Sequence, residues 1–310
     1  MNDMSATTTH SSTTTVLTGL HFAESPSIGP DGHLYISDFY AHQLLRVDAS
    51  TWTSTVAADV PGQPSGMGWL PDGTMLVVSM RDTLLLAVEP DGRTRVYADL
   101  SSIARGAAND MLVDSDGRAW VGSFGFDFYS ELAADPDADP LFGPNADPPT
   151  ADLARVDPDG SVHLAATGLR FPNGTVQLSD GTLVIAETVG ACLTAFTITA
   201  DGILANQRTL VDMSTLGVDG PILPDGICID TSDGIWVSDP VNSRVVRIDV
   251  STETVTDIVT TAQPCFAVGL IGEERRTLLC CTAASSNPNI AGTKRTGALE
   301  IADVQVGGAH

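Results

Sequence analysis

Glu24, Asn109, Asn173 and Asp225 lie far apart in the chain, yet each occupies the same place in a recurring pattern. Turn signals stand at Asp31-Gly32, Asp72-Gly73, Asp116-Gly117, Asp180-Gly181, Asp233-Gly234 and Glu273-Glu274. Counting seven positions back from each, or eight from Asp233, gives Glu24, Ser65, Asn109, Asn173, Asp225 and Phe266. Four of these six residues carry a carboxylate or amide oxygen. Such oxygens are hard donors, and in a ring of repeats equivalent positions meet at the axis. The set would suit Ca²⁺, which takes ~6–8 oxygens, with Mg²⁺, Mn²⁺ or Zn²⁺ in its place, and would leave positions open to water and substrate. An open Lewis acid of this kind polarises a carbonyl or phosphoryl oxygen and orients a water, the arrangement for hydrolysing an ester or lactone. Asn173-Gly174 and Asp225-Gly226 are also favourable hairpin dipeptides, so each alone would be read as a turn. The shared register is what separates them from ordinary turns.

The elements that must position these residues are strands. After each turn comes a β-rich run of strand length: Leu34 to Ser37, Met75 to Ser79, Ala119 to Ser123, Leu183 to Ala186, Ile235 to Ser238 and Leu278 to Thr282. A third run follows in most repeats, such as Gln43 to Asp48 or Arg244 to Asp249, and fourth runs such as Thr94 to Tyr97 complete the units. Four strands per repeat at turn-to-turn spacings of 41, 44, 64, 53 and 40 predict an all-β, six-bladed β-propeller with four antiparallel strands per blade. The last repeat has three strands of its own, so Val16 to Leu20 is expected to supply its outermost strand and close the ring. Residues 1–15 read as a flexible lead and 16–310 as one propeller domain. The third repeat is longer by residues 125–152, a stretch with Phe126, Phe128 and Tyr129 followed by Pro and Asp, which reads as a lid-like insertion over the channel mouth.

Composition narrows the partners. A hydrophobic fraction of 43% with 17% charged residues is ample for a packed core in 310 residues. The net charge of −24, from 39 acids against 15 bases, argues against a nucleic-acid surface and an anionic membrane surface, both of which call for clustered Lys and Arg. The five cysteines show no CxxC or zinc-type grouping, and the Ser/Thr-rich start has no apolar signal segment, so a reduced, cytoplasmic setting is expected. Lys294 is the only lysine, which disfavours a Schiff base, and no Gly-x-Ser-x-Gly, His-Glu-x-x-His, P-loop or dinucleotide fingerprint is present. Of the histidines, His21 alone falls near the expected mouth.

The same residues carry a family resemblance. Phe22 to Pro26 around Glu24, Asn109-Asp110 with Gly117 to Gly122, Phe171 to Gly174, Leu223 to Gly226 with Ile235 to Val237, and the closing Arg276 to Leu279 resemble the senescence marker protein, regucalcin and gluconolactonase family of six-bladed propellers. The resemblance implies that Glu24, Asn173 and Asp225 bind a divalent metal. It implies further that Asn109 contacts metal-bound water or substrate and that Asp225 is the general base. The sugar-lactone members have Arg-x-Asn-Asp-Gly, whereas this chain has Ala107, Ala108, Asn109, Asp110 and Met111, with Arg105 two positions too early. Loss of that bidentate donor, with Met111 and the aromatics Phe124, Phe126, Phe128 and Tyr129 as expected substrate contacts, points to a lactone or ester less polar than a sugar lactone.

The expected enzyme is therefore a metal-dependent lactonase or esterase acting on a small molecule, with Asp225 and Asn109 as catalytic residues. A metal-bound aspartate is a weak base, so either its second oxygen is free or Asp110, Asp127 or Asp239 shares the task. The alternatives are a non-catalytic Ca²⁺-binding propeller and a propeller enzyme acting on another group, such as a phosphotriester or an addition or elimination next to a carbonyl. Oligomeric state stays open between monomer and small homo-oligomer, since a closed ring has no compulsory edge to pair.

Overall fold

Short apolar runs separated by tight Asp/Gly turns pair antiparallel with their successors, and the computed structural model, which describes residues 8–309, shows this six times. Each blade starts from an inner strand: Ala23–Ile28, Pro64–Trp69, Ala108–Val113, Pro172–Gln177, Ile227–Ile229 and Cys265–Ile271. Each inner strand packs against the inner strands of the blades before and after it, and the sixth returns to the first. The result is a six-bladed β-propeller around a central channel. The outermost strand of blade six is Thr14–Leu20, paired antiparallel with Gly297–Asp303, so the N-terminal strand closes the ring as expected.

The start of the chain departs from a flexible lead. Thr9–Ser12 is a strand that pairs parallel with Thr254–Thr260 and adds a fifth strand to blade five. Thr13 then crosses to blade six, its N–H donating to the Thr260 carbonyl at 3.0 Å and its hydroxyl to the buried Glu300 carboxylate. The backbone of an edge strand is an open row of donors and acceptors, and this segment fills it without burying a side chain. The earlier residues of that lead, 1–7, lie outside the described residues.

Buried side chains lie between sheets: Leu76, Val78 and Leu85 pack with Ala119 and Val121, and Val184 and Ala186 with Val237 and Val246. Blades three and five add a polar tie. Trp120 and Trp236 are buried, and their indole N–H groups donate to Asp114 and Asp230, which also pair with Arg118 and Arg247. Each of these aspartates also accepts N–H groups in the turn that follows, so one carboxylate holds both the turn and the next strand.

The turn register becomes more regular in three dimensions than in sequence. The residues in left-handed conformation after each inner strand are Gly32, Gly73, Gly117, Gly181, Asp233 and Glu274. Each stands eight positions after the register residue of its blade, so the irregular count at Asp233 reflects a turn in which aspartate, not glycine, takes the positive φ. In blades one, two, three, four and six the pairing slips at the register residue itself, a β-bulge that re-aims one side chain. In blade five the inner strand begins only at Ile227, leaving Asp225 ahead of it.

Residues 125–152 are not a simple loop. They contain the helix Phe128–Ala134, capped by Asp127 accepting from Ser130 N–H, and end in the strand Ala151–Val156. Among the described residues, no helix is long and apolar enough to cross a membrane.

Candidate active site

Five of the six register residues meet at one end of the channel. Glu24, Asn109, Asn173 and Asp225 all line a cavity of about 130 Å³ there, and Phe266 lines it with them. Close blade packing makes the approach possible: a Cβ on Gly174 would sit 2.4 Å from the Ile227 nitrogen, so only glycine lets the strand after Asn173 lie against the Asp225 segment. Backbone bonds fix the same contact, with Gly174 N–H donating to the Asp225 carbonyl at 3.2 Å and Gly226 N–H to the Phe266 carbonyl at 2.8 Å.

Polar contacts orient the amides. Asn173 Nδ2 donates to Thr188 Oγ1 at 3.2 Å and to Asp225 Oδ1, and Asn109 Nδ2 donates to the Pro172 carbonyl at 3.4 Å. Ser65 Oγ approaches Asn109 Oδ1 at 3.5 Å and donates to Asp110 Oδ1 at 3.2 Å. Ser65 therefore completes the ring as a donor to its neighbours. Ser25, in left-handed conformation beside Glu24, also donates to Asp110 Oδ1.

Two carboxylates, Glu24 and Asp225, line this cavity with no Lys or Arg among its described lining residues, and Asp110, which faces the other cavity, lies close enough for its charge to act on both. Burial holds Glu24 well above the usual carboxylate range, and the charges of Asp225 and Asp110 push it the same way. Burial and then the charge of Asp110 do the same to Asp225, against a lowering hydrogen bond from Asn173. Asp110 rises to about 6 through burial, restrained by its bonds from Ser65 and Ser25. Mutual repulsion of buried carboxylates is relieved by a proton or a cation. Counting only His, Cys, Asp and Glu, no group of three among the described residues is placed to share one ion. The donor set is instead carboxylates mixed with amides, all oxygen, which suits a hard divalent cation.

Above the carboxylates the cavity is walled by aromatic rings in two groups. On the side of blades one and six, Phe22 packs against Phe266 at 4.7 Å and against Phe39 and Tyr40 at 5.6 and 5.7 Å. On the side of blades three and four, Phe124 packs against Phe171 at 4.7 Å, Phe128 at 5.5 Å and Tyr129 at 6.4 Å. Tyr129 has Arg81 over its ring at 4.9 Å, and its hydroxyl is buried beside Tyr40. Burial raises the pKa of both Tyr129 and Tyr40, so both phenols stay protonated at neutral pH.

The expected substrate contacts divide. Phe124, Phe128, Tyr129 and Asn109 line this cavity, joined by Leu141 and Phe142 from the insertion. Met111 does not: it faces the cavity of about 390 Å³ at the other end of the channel, which Asp110 also lines. The bulge at Asn109-Asp110 is the reason, since it sends Asn109 to one cavity and the two residues after it to the other. Phe126 packs beside Phe128 at 6.2 Å and lines an outer cleft of the insertion instead. His21 is tied to the Ala291 carbonyl through Nδ1 and does not line the cavity. Asp239 is engaged by Arg244 and Asn242. Asp127 caps its helix.

Sequence reasoning missed Phe22, Phe39, Tyr40, Phe171, Leu223 and Thr188 as cavity residues. A signal for three of them was present: Phe22, Phe171 and Leu223 each stand two positions before a register residue. Phe171 is held at a φ of +61°, an uncommon conformation for an aromatic residue.

The model of the SMP-30/gluconolactonase/LRE-like region matches residues 22–284, most of the chain and all four oxygen-bearing register residues. The chain belongs to this family. A pentonolactonase from Haloferax volcanii is 26% identical over 263 residues, covering 79% of each chain. A gluconolactonase from Xanthomonas campestris has the same fold, with a TM-score of 0.71 at 21% identity over 94% of this chain and 89% of its own. Regucalcin from Agrobacterium tumefaciens, a calcium-binding protein, superposes with a TM-score of 0.75 at 19% identity over 98% of this chain and 97% of its own. The placement of the SMP-30/gluconolactonase/LRE-like match across all six inner strands agrees with a site assembled from the whole ring.

Proposed function

We propose that the protein is a divalent-metal-dependent hydrolase that opens a lactone or ester less polar than a sugar lactone. The observation that carries this reading is the convergence of two carboxylates, Glu24 and Asp225, and two amides, Asn109 and Asn173, on one cavity with no basic residue among its described lining, with the charge of buried Asp110 acting on both carboxylates. Glu24, Asn173 and Asp225 would hold the cation, and Ca²⁺ is the first choice for an all-oxygen donor set. When bound, such a cation supplies polarisation of the substrate carbonyl and relief of the carboxylate repulsion.

The chain's own residues supply the rest. Asp225 accepts a hydrogen bond through Oδ1 and keeps a second oxygen to receive a proton from the attacking water. Asn109, whose Nδ2 is turned toward the Pro172 carbonyl, offers its amide to the water or the substrate at the same cavity. The aromatic walls bind the apolar part of the substrate and reduce the water around the carbonyl, and Phe128 and Tyr129 with Leu141 and Phe142 make residues 125–152 a partial lid. A pentonolactonase relative supports lactone opening, and the calcium-binding regucalcin supports a divalent ion. The reading is tested by stripping the protein with chelator and assaying a panel of aliphatic, aryl and sugar lactones and esters. Hydrolysis of apolar lactones that disappears with chelator and returns with Ca²⁺ supports it. Tight Ca²⁺ binding with no hydrolysis across the panel would favour a non-catalytic binding role.

A further inference from the structure

The residue immediately after the second strand of each blade is Phe39, Met80, Phe124, Thr188, Pro240 or Ala283. Five of the six are apolar, as expected where the sheet turns back over the packed rings. Blade four alone puts a hydroxyl there, and it is buried. Burying a hydroxyl costs free energy unless its hydrogen bonds are made, so an exception to an apolar repeat calls for a reason.

Thr188 makes two bonds that meet at the candidate site. Its Oγ1 donates to the Pro224 carbonyl at 2.7 Å and accepts from Asn173 Nδ2 at 3.2 Å. The proton is committed to a carbonyl, so the bond from Asn173 has one direction only, from amide nitrogen to hydroxyl oxygen. Asp225 Oδ1 accepts from the same Nδ2. A flipped amide would set its oxygen against two acceptors, so Asn173 is held with Nδ2 toward them and Oδ1 toward the channel.

The bond to the Pro224 carbonyl matters because Asp225 is held by fewer ladder bonds than the other register residues, its N–H donating to the Ser238 carbonyl at 3.3 Å and its carbonyl accepting from Gly174 N–H at 3.2 Å. The others sit at bulges in paired inner strands, whereas Asp225 precedes its strand and follows a stretch, residues 216–224, with no strand at all. Thr188 holds the peptide just before it from across the blade boundary. One side chain therefore orients an amide donor and adds a tie, beside the backbone bonds to Ser238 and Gly174, to the segment that carries a carboxylate donor.

We infer that Thr188 is a positioning residue for the cation site, setting Asn173 and Asp225 in mutual register without touching the ion. The inference rests on the reading of Glu24, Asn173 and Asp225 as the cation ligands. Groups that orient metal ligands typically change affinity by ~10–100-fold when removed.

The test is calorimetric titration of chelator-stripped full-length protein with Ca²⁺ alone, for wild type, Thr188→Val and Thr188→Ser. Valine keeps the shape and removes both bonds; serine keeps the hydroxyl. Expected is a Ca²⁺ affinity lowered ~10–100-fold in T188V and within about threefold of wild type in T188S. Melting in chelator controls for folding, and the affinity loss should persist at temperatures where both variants remain folded. Wild-type affinity in T188V, or equal losses in T188V and T188S, would overturn the positioning role while leaving the cation site standing. No Ca²⁺ binding by the wild type would overturn the cation site, and the inference with it.

Discussion

The two ends of the central channel differ in a way that size alone would misjudge. The end lined by Met111, Trp69 and the Val176 and Val268 side of the inner strands encloses about 390 Å³, against about 130 Å³ at the end lined by Glu24, Asn173 and Asp225. The larger cavity has one aromatic residue in its lining, Trp69, whereas the smaller is walled by Phe22, Phe39, Tyr40, Phe124, Phe128, Tyr129, Phe142, Phe171 and Phe266. Asp110 lines the large cavity while hydrogen-bonded to serines of the inner strands, and its charge is felt by the carboxylates of the small one. Oxygen donors and an apolar collar come together at the smaller end, and the larger end has neither the collar nor the amides.

Breaking the donor set should have the largest effect. Asp225→Asn removes a charge and the proposed base while leaving an amide oxygen in place, and kcat should fall by at least ~10³-fold, beyond what a single hydrogen bond supplies. A variant with near-normal turnover and bound cation would take Asp225 out of the base role.

The next effect is on stability and needs no substrate. In chelator, burial keeps Asp110 at about 6, above its unfolded value of about 3.9, so between these pH values the folded chain holds more protons than the unfolded chain. Stability of the stripped protein should therefore fall as pH rises from about 4 to about 6, by on the order of 1 kcal/mol per unit. Glu24 and Asp225, raised in the same direction, extend the fall to higher pH. Saturating Ca²⁺ should reverse the trend, and Asp110→Asn should make the chelator slope shallower. Thermal melts across this range, with and without Ca²⁺, read the sign directly.

Smaller effects separate the aromatic collar from the opposite cavity. Phe128→Ala should raise KM for apolar lactones by about tenfold, the scale of one lost apolar contact, with Ca²⁺ affinity unchanged. Met111→Leu, at the opposite end, should leave kcat/KM within about twofold, as a volume-conserving swap away from the reacting atoms. An effect of M111L as large as that of F128A would erase the distinction between the two ends.

Much of this was legible in sequence because the propeller repeats its own punctuation. The Asp/Gly turns, the runs after them and the register of Glu24, Asn109, Asn173 and Asp225 are local signals that recur, and recurrence outweighs the weakness of each. What escaped was set by contacts that no local pattern records. Thr9–Ser12 is fully exposed and has no apolar alternation, so only the open edge of blade five reveals it as a strand. Met111 faces the cavity opposite to the expected one because a bulge at Asn109-Asp110 reverses the alternation that a regular strand would keep. Tyr40 and Phe39 come from a short turn of 3₁₀ helix after the second strand of blade one, outside the register altogether. Thr188 becomes legible only once the six strand ends are superposed.

The measurement that bears most directly on the central claim is hydrolysis of an apolar lactone by metal-stripped protein, followed as Ca²⁺ is titrated back. The account predicts no turnover in chelator and recovery that tracks site occupancy. Full turnover with chelator present and no divalent cation bound would contradict it.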